Sequence, residues 1–345
     1  MNDIGTISVA PRGSATLALG LATTVSMWGV AYVCRLPAVV APAWLLLPLL
    51  LATVAVWGWG AGRYARDGWL AGARAGAVAS VLNMLILGSL LSSVDGGGVV
   101  PSALWWVPAS IAVVAGTAAV AAVVGARAKH VAEEEPDWTG LLTKVAAAAT
   151  FLLVVAGGLV TSNEAGLAVV DWPNSFGYNM FLYPLSRMTG GIYYEHAHRL
   201  FGSLVGLATI LVAIHLWRVE DRRWVCGLAG MAVFVVIVQG VLGGLRVTGH
   251  FTTSTSVEDM APSLGLAVVH GVLGQLFLAL MVALAVVTGR DWRQDNAVVS
   301  GADLGIDRSL HLALVGTLLV QLVLGAVQRH FAQGLVIHIT LAAVV

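Results

Sequence analysis

Apolar residues along this chain collect into ten long blocks separated by polar joints. The blocks lie at 15–34, 41–60, 74–93, 103–125, 142–161, 193–217, 224–245, 264–288, 309–328 and from 334 onward. A helix needs roughly 20 mostly apolar residues to cross the hydrocarbon core of a bilayer. The first nine blocks therefore predict membrane-spanning helices. The tenth reaches only Val345. A spanning helix cannot end with its backbone groups open to lipid, so a C-terminally incomplete chain is expected. The fold class that follows is all-α, a polytopic transmembrane helical bundle of about ten spans. Composition agrees, with 58% hydrophobic and 10% charged residues and a mean hydropathy of +0.88, values of the integral-membrane class.

The polar joints carry an orientation. Those after the second, fourth, sixth and eighth blocks each hold three basic residues: Arg63, Arg66, Arg74; Arg127, Lys129, Lys144; Arg218, Arg222, Arg223; Arg290, Arg293, Arg308. The opposite side shows mainly Arg35, Arg187, Arg246 and Arg329. By the positive-inside rule the richer set and the N-terminus are cytoplasmic, and the joints 162–192 and 248–263 face outward. The first twenty residues lack the layout of a cleaved signal peptide, so the first block is read as a retained span. Formal net charge is zero, which gives no reason to expect a nucleic-acid partner; the partner implied is the lipid bilayer. Cys34 and Cys226 lie far apart and form neither a metal-ligand spacing nor a disulfide framework.

Three segments resemble one another: "VVAGGLVTS" (154–162), "VQGVLGGLRVT" (238–248) and "VQLVLGAVQRH" (320–330). Each ends an outward-going block with a pair of small residues. Each is followed by a returning block that carries a histidine, His198, His270 or His338, spaced 72 and 68 residues apart. Such even spacing predicts a repeated helical hairpin. The small pairs alone need mean no more than close helix packing. At ~1.5 Å per residue the three histidines lie roughly 6–9 Å below the outer interface. The residue four positions on from each is small (Gly202, Gly274, Ala342), which would leave bare backbone on the same helix face. Imidazole is a good axial ligand of haem iron, and these three are the candidate metal ligands. His130, His215 and His250 read as structural or solvated, His196 is ambiguous, and neither His311 nor His330 is a first choice.

Glu195 precedes His198 by three residues on nearly the same face. An intramembrane carboxylate could orient an imidazole, relay a proton or hold a substrate group; it could also be a helix N-terminal acid favoured by the macrodipole. Arg199, Arg246 and Arg329 sit near outer helix ends. They read either as snorkelling interfacial residues or as forked partners for haem propionates.

Taken together, "GGLVTSNEAGLAVVDWP" (157–173), "YYEHAHRLFGSLVGL" (193–207), "VQGVLGGLRVT" (238–248) and "VVHGVLGQLFLAL" (268–280) resemble the haem A synthase family, collinearly over roughly 140–345. The resemblance implies two pseudo-repeated four-helix bundles, each with a histidine pair near the outer face of a bacterial-type plasma membrane. It implies that His198 and His270 hold the substrate haem O, that Glu195 is the family's essential acid, and that His338 is the first of the pair that binds a haem b cofactor. The implied reaction converts a methyl group of haem O into a formyl group, giving haem A for terminal oxidases. The implied partners are haem O, a haem O synthase, an electron donor and a terminal oxidase.

The chain departs from the family in three ways. Cysteines found in the first outer loop of many members are replaced by Val169 and Ser175. The second bundle is incomplete, so a fourth histidine is lacking. Residues 1–135 add about four spans, ending in the run "ARAKHVAEEEPDW" (126–138), which reads as a linker. The organisation expected is 1–135 as an added membrane region, 136–291 as the catalytic bundle and 292–345 as the start of the haem b bundle. A two-haem electron-transfer cytochrome explains the histidines equally well, but Glu195 less well. A transporter would want broken helices and polar residues near mid-membrane. The farnesyl-adding step that makes haem O needs aspartate-rich motifs for magnesium and diphosphate, and no Asp-x-x-x-Asp cluster occurs at a helix end.

Overall fold

The computed structural model describes residues 13–91, 100–128, 135–293 and 304–344. Its helices are α1 (Gly13–Arg35), α2 (Ala43–Tyr64), α3 (Trp69–Ile86), α4 (Ala103–Arg127), α5 (Trp138–Ser162), α6 (Gly190–Val219), α7 (Arg223–Thr248), α8 (Leu264–Val287), the single turn α9 (Arg290–Arg293), α10 (Leu304–Phe331) and α11 (Leu335–Val344). Among the described residues nine are long and apolar enough to cross a membrane, and α11 is a shorter apolar helix. The protein is an all-α integral membrane protein.

Several helices start earlier than their apolar blocks, and in α3 and α5 the local cause is visible. The third apolar block spans 74–93, whereas α3 begins at Trp69, after Gly68 with φ of 56°. Arg74 thus lies inside the helix, where its guanidinium meets Asp67 at 2.7 Å. At the other end α3 stops at Ile86, and a 3-10 turn, Gly88–Leu90, follows; positions 92 and 93 lie outside the described residues. Likewise α5 opens at Trp138 because the Asp137 carboxylate accepts from Gly140 N at 3.0 Å, an N-cap that satisfies an otherwise open donor. Lys144 is therefore helical rather than part of a joint. Of the expected linker 126–138, residues 129–134 lie outside the described residues, as do the first twelve residues.

α1 to α4 pack against one another, and α1 also lies along α5. Small residues set the spacing: a β-carbon at Gly62 would come within 1.8 Å of the Ala122 carbonyl oxygen, so α2 and α4 touch backbone to backbone. Between lipid-embedded helices such close packing supplies the attraction that water supplies elsewhere. α5, α6, α7 and α8 close a ring in which each helix touches the next and α8 returns to α5. α10 packs on α8 and on α11.

At the end of the ring away from His198, side chains tie the helices together. His215 Nε2 and Thr139 Oγ1 are 2.9 Å apart, and Thr143 and Thr288 share a hydrogen bond of 2.8 Å. His215 is thus a buried structural histidine. Arg222 holds Glu220 in a forked pair at 2.8 Å and also donates to the Val287 carbonyl at 2.9 Å. That partner holds the Glu220 carboxyl below the usual carboxylate range.

The near end is roofed by residues 163–189. Their one hairpin pairs β1 (Asn174–Ser175) with β2 (Tyr178–Asn179), antiparallel. Phe176 and Gly177 form the turn with φ of 52° and 78°, the positive values that a two-residue type I′ turn requires. Phenylalanine adopts that conformation reluctantly. The buried Asp171 carboxylate fixes it by accepting from Phe176 N at 2.6 Å and Gly177 N at 2.8 Å.

Candidate functional site

His198 in α6 and His270 in α8 face each other inside the ring. Their ring centroids are 6.4 Å apart and their planes stand at 85°. Imidazole nitrogens lie about 2 Å from a metal they bind, so two rings on opposite sides of one metal have centroids roughly 6 Å apart. The observed separation fits a shared axial pair. Among the described residues no group of three or more His, Cys, Asp or Glu is placed to hold a bare ion. Two imidazoles suit a metal that brings its own equatorial ligands, as haem iron does.

Each imidazole rests on a glycine of the preceding helix. A β-carbon at Gly157 would meet Cε1 of His198 at 2.9 Å, one at Gly243 would meet Cε1 of His270 at 3.1 Å, and one at Gly325 would meet Cε1 of His338 at 3.0 Å. The repeated small pairs therefore do more than ease helix packing: their first member is the seat of the histidine. The backbone of Leu153 lies beside His198 and that of Gln239 beside His270, in each case four residues before the glycine. Two further residues went unnoticed in the sequence although they stand in the repeat. Gln239 Nε2 donates to the His270 carbonyl and Gln321 Nε2 to the His338 carbonyl, both at 3.0 Å. Nδ1 of all three histidines is buried without a hydrogen-bond partner.

The expected bare patches are less regular. Gly202 is open, but a β-carbon at Gly274 would meet Gln239 Nε2 at 2.9 Å. The seat lies on the neighbouring helix rather than one turn along the same one.

Glu195 is buried, with both carboxylate oxygens engaged. Oε1 pairs with Arg199 Nη2 at 2.8 Å, and Oε2 accepts from Val169 N at 2.9 Å. Arg199 gives Nη1 to the carbonyls of Asp171 (2.8 Å) and Asn174 (2.9 Å), and Nη2 also to that of Val169 (3.1 Å). Its terminal nitrogens are committed to the roof and to Glu195, not held out toward a propionate. Arg246 lies close enough to Glu195, His198 and His270 to interact electrostatically with all three, and donates to the Gly166 carbonyl at 3.3 Å. Arg329 donates to the Thr161 carbonyl.

Val169 and Ser175, the loop positions at which the resemblance expects cysteines, both bind α6. Val169 does so through the Glu195 bond, and Ser175 Oγ lies 3.1 Å from Nδ1 of His196. His196, ambiguous from sequence, thus faces the roof, where the Tyr183 ring covers it at 4.9 Å. Trp172 lies over Gly244, the second glycine of that repeat, and its backbone pairs with Thr252, joining the roof to the loop before α8. His250 and His311 are exposed, and His330 is partly buried at the end of α10.

Comparison with known proteins bears on what this geometry serves. The sequence profile of the COX15-CtaA family, cytochrome oxidase assembly proteins, matches residues 140–342. A haem A synthase of Shouchella clausii is 35% identical over 97 residues, 27% of this chain and 30% of that protein. A haem A synthase of Parvibaculum lavamentivorans is 25% identical over 219 residues, 55% of this chain and 59% of that protein. A protohaem IX farnesyltransferase of Haloarcula marismortui is 29% identical over 158 residues, 46% of this chain and 31% of that protein. The chain thus spans from 30% to 59% of the length of these curated relatives. No solved structure matches it. The profile covers more than half of the chain and takes in His198, His270, His338, Glu195 and every seat glycine. On that match, the chain belongs to the COX15-CtaA family of cytochrome oxidase assembly proteins.

Proposed function

We propose that the ring of α5 to α8 binds haem O between His198 and His270 and oxidises one of its methyl groups toward the formyl group of haem A. The observation that carries this reading is the pair of facing imidazoles 6.4 Å apart, each seated on a repeat glycine. Haem supplies the oxygen and electron chemistry, while the protein supplies ligation, orientation and exclusion of water.

The residues divide that work. His198 and His270 hold the substrate from opposite sides. Arg199 and Glu195 clamp the roof over the pair, so Glu195 acts through the loop it holds. One carboxylate set among two guanidinium groups leaves the pocket net positive, which suits the carboxylates of a porphyrin. Arg246 is their partner on the substrate side, with Arg199 fixing the loop beside them. His338, seated on Gly325, would supply one imidazole to a haem b, with Arg329 near the same helix end. The site faces outward and the N-terminus lies in the cytoplasm, on the strength of the basic joints. The partial likeness to a protohaem IX farnesyltransferase supports a partner that supplies the farnesylated haem.

The test is haem extraction and mass analysis of membranes that contain this chain and a source of haem O, comparing wild type with Glu195→Ala and His198→Ala. The expected result is haem A, or its hydroxylated precursor, in the wild type alone. Unmodified haem in all three samples would overturn the proposal.

A further inference from the structure

The first four helices have no part in the ring, yet their near end reaches the roof and α6 at several separate places. On α1, the Tyr32 ring stacks on Tyr193 at 5.6 Å, and the Tyr193 hydroxyl donates to the Tyr32 carbonyl at 2.6 Å. Phe201 is gripped by Trp28 at 5.1 Å and Tyr32 at 5.5 Å, both edge-on. Tyr193 lies two residues before Glu195, and Phe201 three after His198, so α1 holds α6 on both sides of the site residues. Arg35, the last residue of α1, donates to the Leu185 carbonyl in the roof at 3.3 Å. The 3-10 turn after α3 meets the roof again: a β-carbon at Gly88 would lie 3.1 Å from the Phe181 carbonyl oxygen. Trp28 is itself fixed, since its Nε1 donates to Asn83 of α3 at 2.8 Å.

Packing alone would place such contacts anywhere along α1. Here the aromatic contacts, the arginine and the 3-10 turn converge on the stretch that carries Glu195 and on the loop that Glu195 and Arg199 hold. We propose that α1 and the turn after α3 form an internal brace that sets the position of the roof and of Glu195 over the histidine pair. Tyr32 is the central positioning residue. The proposal rests on the substrate site described above, but its test reads the brace directly.

The experiment compares the whole chain in detergent or nanodiscs as wild type, Tyr32→Ala and Tyr32→Phe, by amide hydrogen exchange over residues 165–189 and by turnover of haem O. The alanine variant loses the stack on Tyr193 and one of the two edge contacts on Phe201; the phenylalanine variant keeps both. Tyr32→Ala is expected to speed exchange in the roof by roughly three- to tenfold, the equivalent of one aromatic pair. Product per bound haem should fall while haem binding persists, and Tyr32→Phe should restore both readouts. Roof exchange equal to wild type in Tyr32→Ala would overturn the brace. Where Tyr32→Ala fails to accumulate, Tyr193→Phe removes one hydrogen bond and no ring; it carries the same expectation at smaller size, and unchanged exchange there is equally contrary. A wild-type chain that never oxidises haem O, yet loosens its roof in Tyr32→Ala, would count against the proposed activity and not against the brace.

Discussion

A methyl group at Gly157 would stand 2.9 Å from Cε1 of His198, and one at Gly243 would stand 3.1 Å from Cε1 of His270. Overpacking of this kind costs about 1–3 kcal/mol, and here it acts on ligand geometry. Gly157→Ala should therefore weaken haem binding by about tenfold, the equivalent of ~1.4 kcal/mol, with the folded chain retained in the membrane; a haem titration followed by absorbance checks it. Arg199 offers a second prediction. Its forked bonds to two loop carbonyls, and to Glu195 and Val169, need a planar guanidinium. Arg199→Lys should keep the charge yet loosen the roof, seen as faster exchange at Phe176 and Gly177. Arg199→Ala should destabilise the fold by about 3–5 kcal/mol, because it strands a buried carboxylate; thermal unfolding in detergent would show the difference. At this scale the histidines were legible in the sequence, since equal spacing is a local pattern. Their seats were not: a glycine pair reads the same whether it faces a helix or an imidazole.

Between elements, the lengths and order of the helices follow from the apolar blocks, and most ends fall within a few residues of them. The departures have local causes, such as the Asp137 cap that opens α5 and the Arg74–Asp67 pair that ties the first turns of α3 to the residue before its N-cap. The roof could not be read ahead of the structure. Its turn depends on a carboxylate five residues away, its clamp on an arginine 25 to 30 residues away, and its edge on Thr252. No sequence period encodes those partners. The loop between α6 and α7 carries the pH prediction. Glu220 has its carboxyl held below the ordinary range by Arg222. A depressed folded-state value means stability that is present above the unfolded value and lost as pH falls through the folded one. The Arg222 side chain is 28% exposed, so the pair is worth only about 1 kcal/mol or less. Thermal midpoints in detergent should fall as pH drops from 6 toward 3, and Glu220→Gln should flatten part of that slope. A slope identical in the variant would assign the acid sensitivity to other groups.

For the whole molecule, one hairpin unit recurs as α5–α6, α7–α8 and α10–α11, each time with the histidine seated on the preceding helix. The first two units close into a ring and bring their histidines together, while the four added helices approach from outside and touch the ring where its site lies. The central proposal is that His198 and His270 together hold a single haem. Low-temperature electron paramagnetic resonance of the ferric haem-loaded protein tests it most directly. Two imidazoles that held the iron with their planes near perpendicular, as their 85° orientation here favours, would leave the iron orbitals nearly degenerate and give a strongly anisotropic low-spin signal. That signal is predicted in the wild type, and it should be lost in both His198→Ala and His270→Ala. A high-spin spectrum in the wild type, or a low-spin signal that survives either substitution, would contradict the shared site.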